Sequence, residues 1–370
     1  MTDQRIEEFA EVLVDRAAKV EKGDNVYLSA YSTEVLPLFD EVRRQVIEKG
    51  AFPHEHLIYD SQLGRAGLDY DWLKYGSEEQ LKTVSEAKKK ELEEMDVYIS
   101  IGGRDNEREL NGVEPEKISL RKRETKILSE MRSKLRWVLT RYPTDSLAQN
   151  AGMPTPEFED FVFSSVVDVD WDELEERNQE IKQVFDEADE VRIVSEGTDL
   201  TMSLENRDGI AANGNHNIPD GEVFYAPRRE SLEGHIEFTY PGVKQGNEVR
   251  GVRLEFEDGK VVDYSAETNE DYLREQLETD EGSKYIGELG IGTNRQIDRF
   301  VNEIGFDEKI GGTIHLALGK AFDECVGEDE EKNDSAIHWD IVKDLRKPEG
   351  DGGKIIVDGE VVQKDGEWVF

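Results

Sequence analysis

The sequence predicts an N-terminal α/β lobe built on a parallel sheet, residues 1–188, followed by a C-terminal mixed α+β domain, residues 189–370. Three observations lead there. Residues 1–185 alternate helical and strand patterns with short connections, the arrangement of a parallel sheet covered by helices. From Glu190 the rhythm changes to strands closely spaced by turns. The length, 370 residues, suits about two domains of ordinary size.

In the first lobe, helical periodicity over Ile6–Val20 leads through the turn Lys22-Gly23-Asp24 to a strand at Asn25–Tyr31. A helix near Glu34–Lys49 stops at Gly50. A strand at His56–Tyr59, a charged helix around Glu86–Met95, a strand at Val97–Ile101, a helix at Leu120–Leu135 and a strand at Trp137–Arg141 continue the pattern. The charged helix Trp171–Ala188 reads as a linker or lid. Beyond it, strands are expected at Val191–Ser195, Leu200–Leu204, Val223–Ala226, His235–Tyr240, Val249–Glu257 and Val261–Tyr264, with a hairpin turn at Asp258-Gly259 joining the last two. The acidic cluster Glu328–Glu331 reads as a solvated loop.

Lys plus Arg number 46 against 85 Asp plus Glu, a formal charge of −39. Such a balance argues against nucleic-acid and anionic-membrane partners, whose phosphates it would repel. The acidic residues are spread along the whole chain. That dispersion predicts a surface adapted to concentrated salt, where the Debye length falls to about 3 Å at 1 M. A single cysteine, Cys325, excludes an internal disulfide and leaves a thiol metal cluster short of ligands. The N-terminus carries no apolar signal core, and no apolar stretch approaches the length that spans a bilayer, so a cytoplasmic location is expected.

Six histidines can be weighed one by one. His54 and His56 share a face of an early strand, a weak metal signal by themselves, while His216 and His235 lie in turn-rich or strand-edge sequence. His338 is different. In Ile337-His338-Trp339-Asp340-Ile341 alternation turns the apolar residues one way, and His338 and Asp340 the other. His315 is again a polar group inside an apolar strand, in Ile314-His315-Leu316. Glu222 opens the apolar run Val223-Phe224-Tyr225-Ala226, where an unpaired carboxylate would be costly to bury. Glu288 heads Glu288-Leu289-Gly290-Ile291-Gly292, so in an extended segment the two glycines leave open space beside the carboxylate, which suits a metal and a substrate. Gly102-Gly103, at the end of a strand, is a weaker candidate for ligand binding, and a tight turn explains it better. Neither a nucleophile elbow nor a His-Glu-x-x-His helix is present, so a hydrolase of this sequence must activate its water with metal.

Four blocks resemble the aminopeptidase T and aminopeptidase S family of dinuclear metallopeptidases: Ile218-Pro219-Asp220-Gly221-Glu222-Val223-Phe224 with Ala226-Pro227, Glu288 to Asn294, His315 to Gly319, and His338-Trp339-Asp340. The N-terminal half is similar as well, in Gly23-Asp24-Asn25-Val26, Tyr142-Pro143-Thr144, Ala151-Gly152-Met153 and Glu157 to Phe161. The resemblance implies that Glu222, Glu288, His315, His338 and Asp340 are metal ligands. It also implies a homodimer, zinc, cobalt or manganese as working metals, and release of N-terminal residues from a peptide substrate. One departure stands out: the family pattern expects a tyrosine seven residues after the first histidine, and this chain has Phe322.

Five ligands of mixed carboxylate and imidazole character exceed the three of an ordinary catalytic zinc site. They suit two divalent ions sharing a carboxylate and a water, with Glu288 as bridging ligand or proton carrier. Two other classes remain open. A non-enzymatic α/β ligand-binding protein could hold these residues as a buried polar network. A dinucleotide-dependent oxidoreductase would need a Gly-x-Gly-x-x-Gly after the first strand, which is missing.

Overall fold

A computed structural model describes residues 3–57, 68–103, 105–106, 108–244, 246–327, 332–348 and 350–370. The expected end of the second strand at Tyr59 and the acidic cluster Glu328–Glu331 lie outside the described residues. The chain divides into two compact units, one of residues 1–168 with 214–219, the other of residues 169–213 with 220–370.

In the first unit the strands Phe52–Leu57, Asn25–Ala30, Val97–Gly102, Arg136–Arg141 and Asn217–Ile218 lie side by side in that order, all parallel. The strands Asn25–Ala30 and Val97–Gly102 are mostly apolar and buried along nearly their whole length, as strands covered on both faces tend to be. The helical periodicity of Ile6–Val20 is met by an α-helix, Gln4–Glu11, continuing into a π-helical segment, Val12–Ala17, that keeps Leu13, Val14 and Ala17 buried. The predicted helix 120–135 is two helices, Pro115–Glu124 and Lys126–Arg132. The break falls at Thr125, whose hydroxyl donates back to the Arg121 carbonyl at 2.7 Å and so competes with the helical ladder. The glycines at the end of the strand Val97–Gly102 leave no crevice. A Cβ on Gly102 would lie 2.5 Å from the Arg141 guanidinium, and one on Gly103 2.7 Å from Val35. The tight-turn explanation is the one that holds among the described residues.

The second unit is antiparallel. An eight-stranded sheet runs from Lys260–Ser265 at one edge to Glu367–Trp368 at the other, and a five-stranded sheet is ordered His338–Asp344, Thr313–Gly319, Ile286–Gly292, Glu222–Tyr225, Ile210–Ala212. Its main core lies between the two sheets. Val191, Ile193, Leu200, Ile236 and Leu254 of the larger sheet pack in one cluster with Val223, Tyr225, Leu289, Ile291, Leu316, Trp339 and Ile341 of the smaller. Side chains of this size each contribute roughly 1.5–3 kcal/mol on full burial, so the apolar face fixes which way every strand of the smaller sheet is turned.

Three local features depart from or refine the expectations. The hairpin turn forms, with Asp258 at φ 48° and Gly259 at φ 77°, both left-handed as a two-residue type I′ connection requires. The strand expected over 249–257 is instead two strands, Asn247–Val249 and Arg253–Glu257, interrupted at Gly251 with φ 62°. The helix Trp171–Asp186 is neither linker nor lid: Ile181 and Phe185 belong to the main core, which ties one face of the helix to its own unit.

Candidate metal centre

The face of the five-stranded sheet opposite the core carries the polar residues. Pairing places Gly292 opposite Glu222, Gly290 opposite His315, Glu288 opposite Ala317, Ala317 opposite Asp340, and Gly319 opposite His338. Alternation then aims Glu222, Glu288, His315, His338 and Asp340 to the same side. All five residues singled out in the sequence are thus brought together. A β-bulge between Ile286 and Glu288 shifts the ladder where the glutamate enters, a device that re-aims one side chain within a regular sheet.

Glu288 lies at the middle. Its Oε1 is 3.2 Å from His315 Nε2, and its Oε2 is 3.4 Å from His338 Nε2. Glu222 Oε2 approaches the same His315 nitrogen at 3.5 Å, and Asp340 Oδ1 approaches His338 Nε2 at 3.3 Å. Glu222, Glu288 and His315 therefore form one group able to hold a cation, and Glu288, His338 and Asp340 form a second; Glu288 is common to both. The first group is buried, whereas the His338 side chain is 29% exposed, so the site opens to solvent on the second group's side.

Both imidazoles are oriented by backbone. His315 Nδ1 lies 3.1 Å from the Glu308 carbonyl, and His338 Nδ1 lies 2.8 Å from the Lys320 carbonyl. A carbonyl can only accept, so each Nδ1 carries its proton and each Nε2 is turned to the carboxylates. Position is enforced sterically at Gly290, where a Cβ would fall 2.0 Å from the His315 ring. The open space expected beside Glu288 is therefore filled by imidazole at Gly290. At Gly292 the Ile310 carbonyl fills it, 2.2 Å from where a Cβ would lie.

The electrostatics call for cations. Glu222 Oε2, Glu288 Oε2 and Asp340 Oδ1 are buried and have no hydrogen-bond partner among the described residues. Burial pushes the Glu222 carboxyl up to about 8, with Lys309 acting against it, and burial raises Glu288 as well. Burial alone would lower the histidines, yet the bond and charge of Glu288 and the charge of Glu222 bring His315 up to about 9, and Asp340 and Glu288 bring His338 up to about 10. Burial opposes ionisation of Asp340 too, but His338 outweighs it and holds the carboxyl below its ordinary range. A closed hydrogen-bond network would satisfy these oxygens within the protein. Orphaned carboxylate oxygens around two oriented Nε2 atoms are the donor set of a divalent metal site, and the residues fit one.

Two participants, Glu308 and Lys309, are not among the residues that the sequence singles out. Glu308 groups with His315 and Asp340 at ligand spacing, and the Lys309 ammonium, fully buried, pairs with Glu308 and lies 3.2 Å from Glu222 Oε1. The signal available was three consecutive charges, Asp307-Glu308-Lys309, set between Phe306 and Ile310 just ahead of a buried strand. Asn294 joins two of the motif blocks, donating from Nδ2 to the Asp220 carbonyl at 2.8 Å. Gly221, at φ 127°, packs so closely on it that a Cβ would lie 2.9 Å from that of Asn294. Phe322 sits edge-on to His338 at 5.2 Å between ring centroids and beside Phe224 at 5.4 Å. Cys325 lies under Phe224 in a small apolar cluster, its thiol pushed up to about 12 by burial, which makes it inert packing. The other histidines stand apart: His54 Nε2 is 3.2 Å from Asn25 Oδ1, His56 Nε2 is 3.0 Å from Glu91, and His216 stacks on Trp137.

Comparison with known proteins agrees with this chemistry. The chain is 26% identical to aminopeptidase 2 of Geobacillus stearothermophilus, with 100% of this chain and 98% of that one covered. It is also 26% identical to aminopeptidase AmpS of Bacillus subtilis, covering 99% of both. Among solved structures, wild-type AmpT from Thermus thermophilus superposes with a TM-score of 0.84 at 23% identity, over 99% of both chains. A 2,5-dihydroxypyridine dioxygenase from Pseudomonas putida superposes with a TM-score of 0.61 at 16% identity. The architecture thus hosts more than one chemistry, and fold alone does not choose between them. No described helix is long and apolar enough to cross a membrane. The profile of the thermophilic metalloprotease (M29) family matches residues 2–368, and this chain belongs to that family.

Proposed function

We infer that this metallo-aminopeptidase cleaves the N-terminal bond of peptides with two divalent ions, held by Glu222, Glu288 and His315 on one side and by Glu288, His338 and Asp340 on the other. The observation that supports it is the double approach of Glu288, one oxygen toward each imidazole. Bound ions of this kind supply a water activated near neutral pH and a charge that offsets the developing oxyanion. The protein's part is positional and protonic. His315 and His338, tethered through Nδ1, present their Nε2 atoms in fixed directions. Glu288 would either share its two oxygens between the ions or carry a proton from the attacking water to the leaving amine, and its approach to both imidazoles supports the first role. Phe322 has no hydroxyl to offer the transition state, so its edge would serve as an apolar wall beside His338.

The ligand-binding alternative is less well supported, because three buried carboxylate oxygens have no hydrogen-bond partner among the described residues. The test is metal analysis of purified protein together with hydrolysis of free and N-acetylated peptides before and after chelation. Activity on free N-termini only, lost with chelator and restored by zinc, cobalt or manganese, is expected. Chelator-resistant cleavage, or efficient cutting of acetylated peptides, contradicts the reading. We further propose a homodimer, checked by light scattering, and a salt-adapted cytoplasmic enzyme, for which the −39 charge is the support.

A further inference from the structure

Lys309 places a buried ammonium against one of the candidate ligands, Glu222. It is fully buried, among the largest such side chains, and sits two residues past the short helix Ile304–Asp307. An apolar side chain would fill that space without the cost of burying a charge. Its ammonium is 3.2 Å from Glu222 Oε1 and pairs with the Glu308 carboxylate, while the Glu308 carbonyl accepts from His315 Nδ1 at 3.1 Å. One two-residue segment thus holds two members of the same group. Glu222 is left with one oxygen engaged and the other, Oε2, without a hydrogen-bond partner and 3.5 Å from His315 Nε2.

We propose that Lys309 is a positioning residue for the buried metal position: it occupies Glu222 Oε1, so that Glu222 offers only Oε2 to the ion it shares with Glu288 and His315. The proposal rests on the two-ion reading above. It predicts a sign that a simple charge effect reverses. A lysine acting only as a nearby positive charge repels a dication, so its removal would tighten binding. A lysine that holds a ligand in place loosens the ion when removed, by about 10–100-fold for a group of this kind.

The experiment is cobalt titration of the chelator-stripped full chain, followed by equilibrium dialysis and by the visible absorption of the bound ion. Wild-type protein should take two ions. Lys309→Met should weaken one of them by about tenfold or more and change its absorption, leaving the other intact. Lys309→Gln fills the space and can still donate one hydrogen bond without charge, so its affinity should fall between the two. A Met protein with wild-type or tighter binding of both ions overturns the proposal; if that variant does not fold, a Gln protein that binds more tightly than wild type does so equally. Fewer than two ions in the wild-type chain would defeat the two-ion reading itself, before any variant is compared.

Discussion

Two pairs of histidines on strands make the most instructive contrast in this chain. His54 and His56 belong to the edge strand of the parallel sheet, where one meets a neutral amide and the other stacks on Tyr27 at 4.0 Å and meets the Glu91 carboxylate at 3.0 Å. His315 and His338 belong to the inner and outer strands of the five-stranded sheet, each tethered by a carbonyl on one nitrogen and facing two carboxylates with the other. What separates the two pairs is the state of their neighbours. Glu91, beside His56, is also held by the Lys88 ammonium at 2.8 Å, whereas the buried carboxylate oxygens beside His315 and His338 have no hydrogen-bond partner among the described residues and leave room for a cation.

That contrast is most sharply tested by deletion. His338→Ala and Asp340→Ala should each abolish peptide hydrolysis and lower bound metal, with circular dichroism showing a retained fold, since neither change opens a large apolar cavity. His56→Ala should leave turnover and metal content at wild-type levels. Near-normal turnover with retained metal in the first two would break the distinction. Glu288→Gln preserves shape and removes charge, so turnover should fall by about 10²–10⁴-fold, as for a lost acid/base group, and further if the shared ligation fails. An unchanged rate assigns the proton to another residue.

Gly290→Ala probes placement instead of chemistry. The added methyl would lie 2.0 Å from the His315 ring, so the ring must leave its position. Overpacking of this kind costs about 1–3 kcal/mol, read as a lower melting temperature, and metal binding should weaken with it. A variant with unaltered metal affinity would show that the His315 position is not set by this contact.

The smallest expected effect concerns the carboxylates outside the site. Exposed pairs such as Arg192 with Asp199, whose side chains are 47% and 46% exposed, add little individually, and the net charge of −39 opposes compaction. Raising potassium chloride from 0.1 M to 1 M shortens the Debye length from about 10 Å to about 3 Å, so the melting temperature should rise over that interval. A flat or falling curve would leave the acidity without a salt-related purpose.

The fold class was legible in the alternation of helical and strand patterns, and the clustered residues in polar positions set into apolar strands. Once Trp339 and Ile341 commit to the core, His338 and Asp340 have only the other face, and the same holds for Glu222 beside Val223. What alternation could not reach was register and loops. The imidazole resting on Gly290 depends on which residues pair across two strands, a long-range fact. Lys309 and Glu308 lie in a turn, where no periodicity announces burial. The helix Trp171–Asp186 misled for a related reason: its many charges hide the apolar stripe of Leu174, Ile181 and Phe185 that seats it.

The central claim is that one carboxylate, Glu288, serves two ions. Anomalous diffraction from crystals of the metal-loaded protein, recorded at the absorption edge of the loaded metal, measures this directly. The account predicts two peaks per chain flanking the Glu288 carboxylate, one beside Glu222 and His315 and the other beside His338 and Asp340. A single peak, or peaks that leave Glu288 in contact with only one ion, would contradict it.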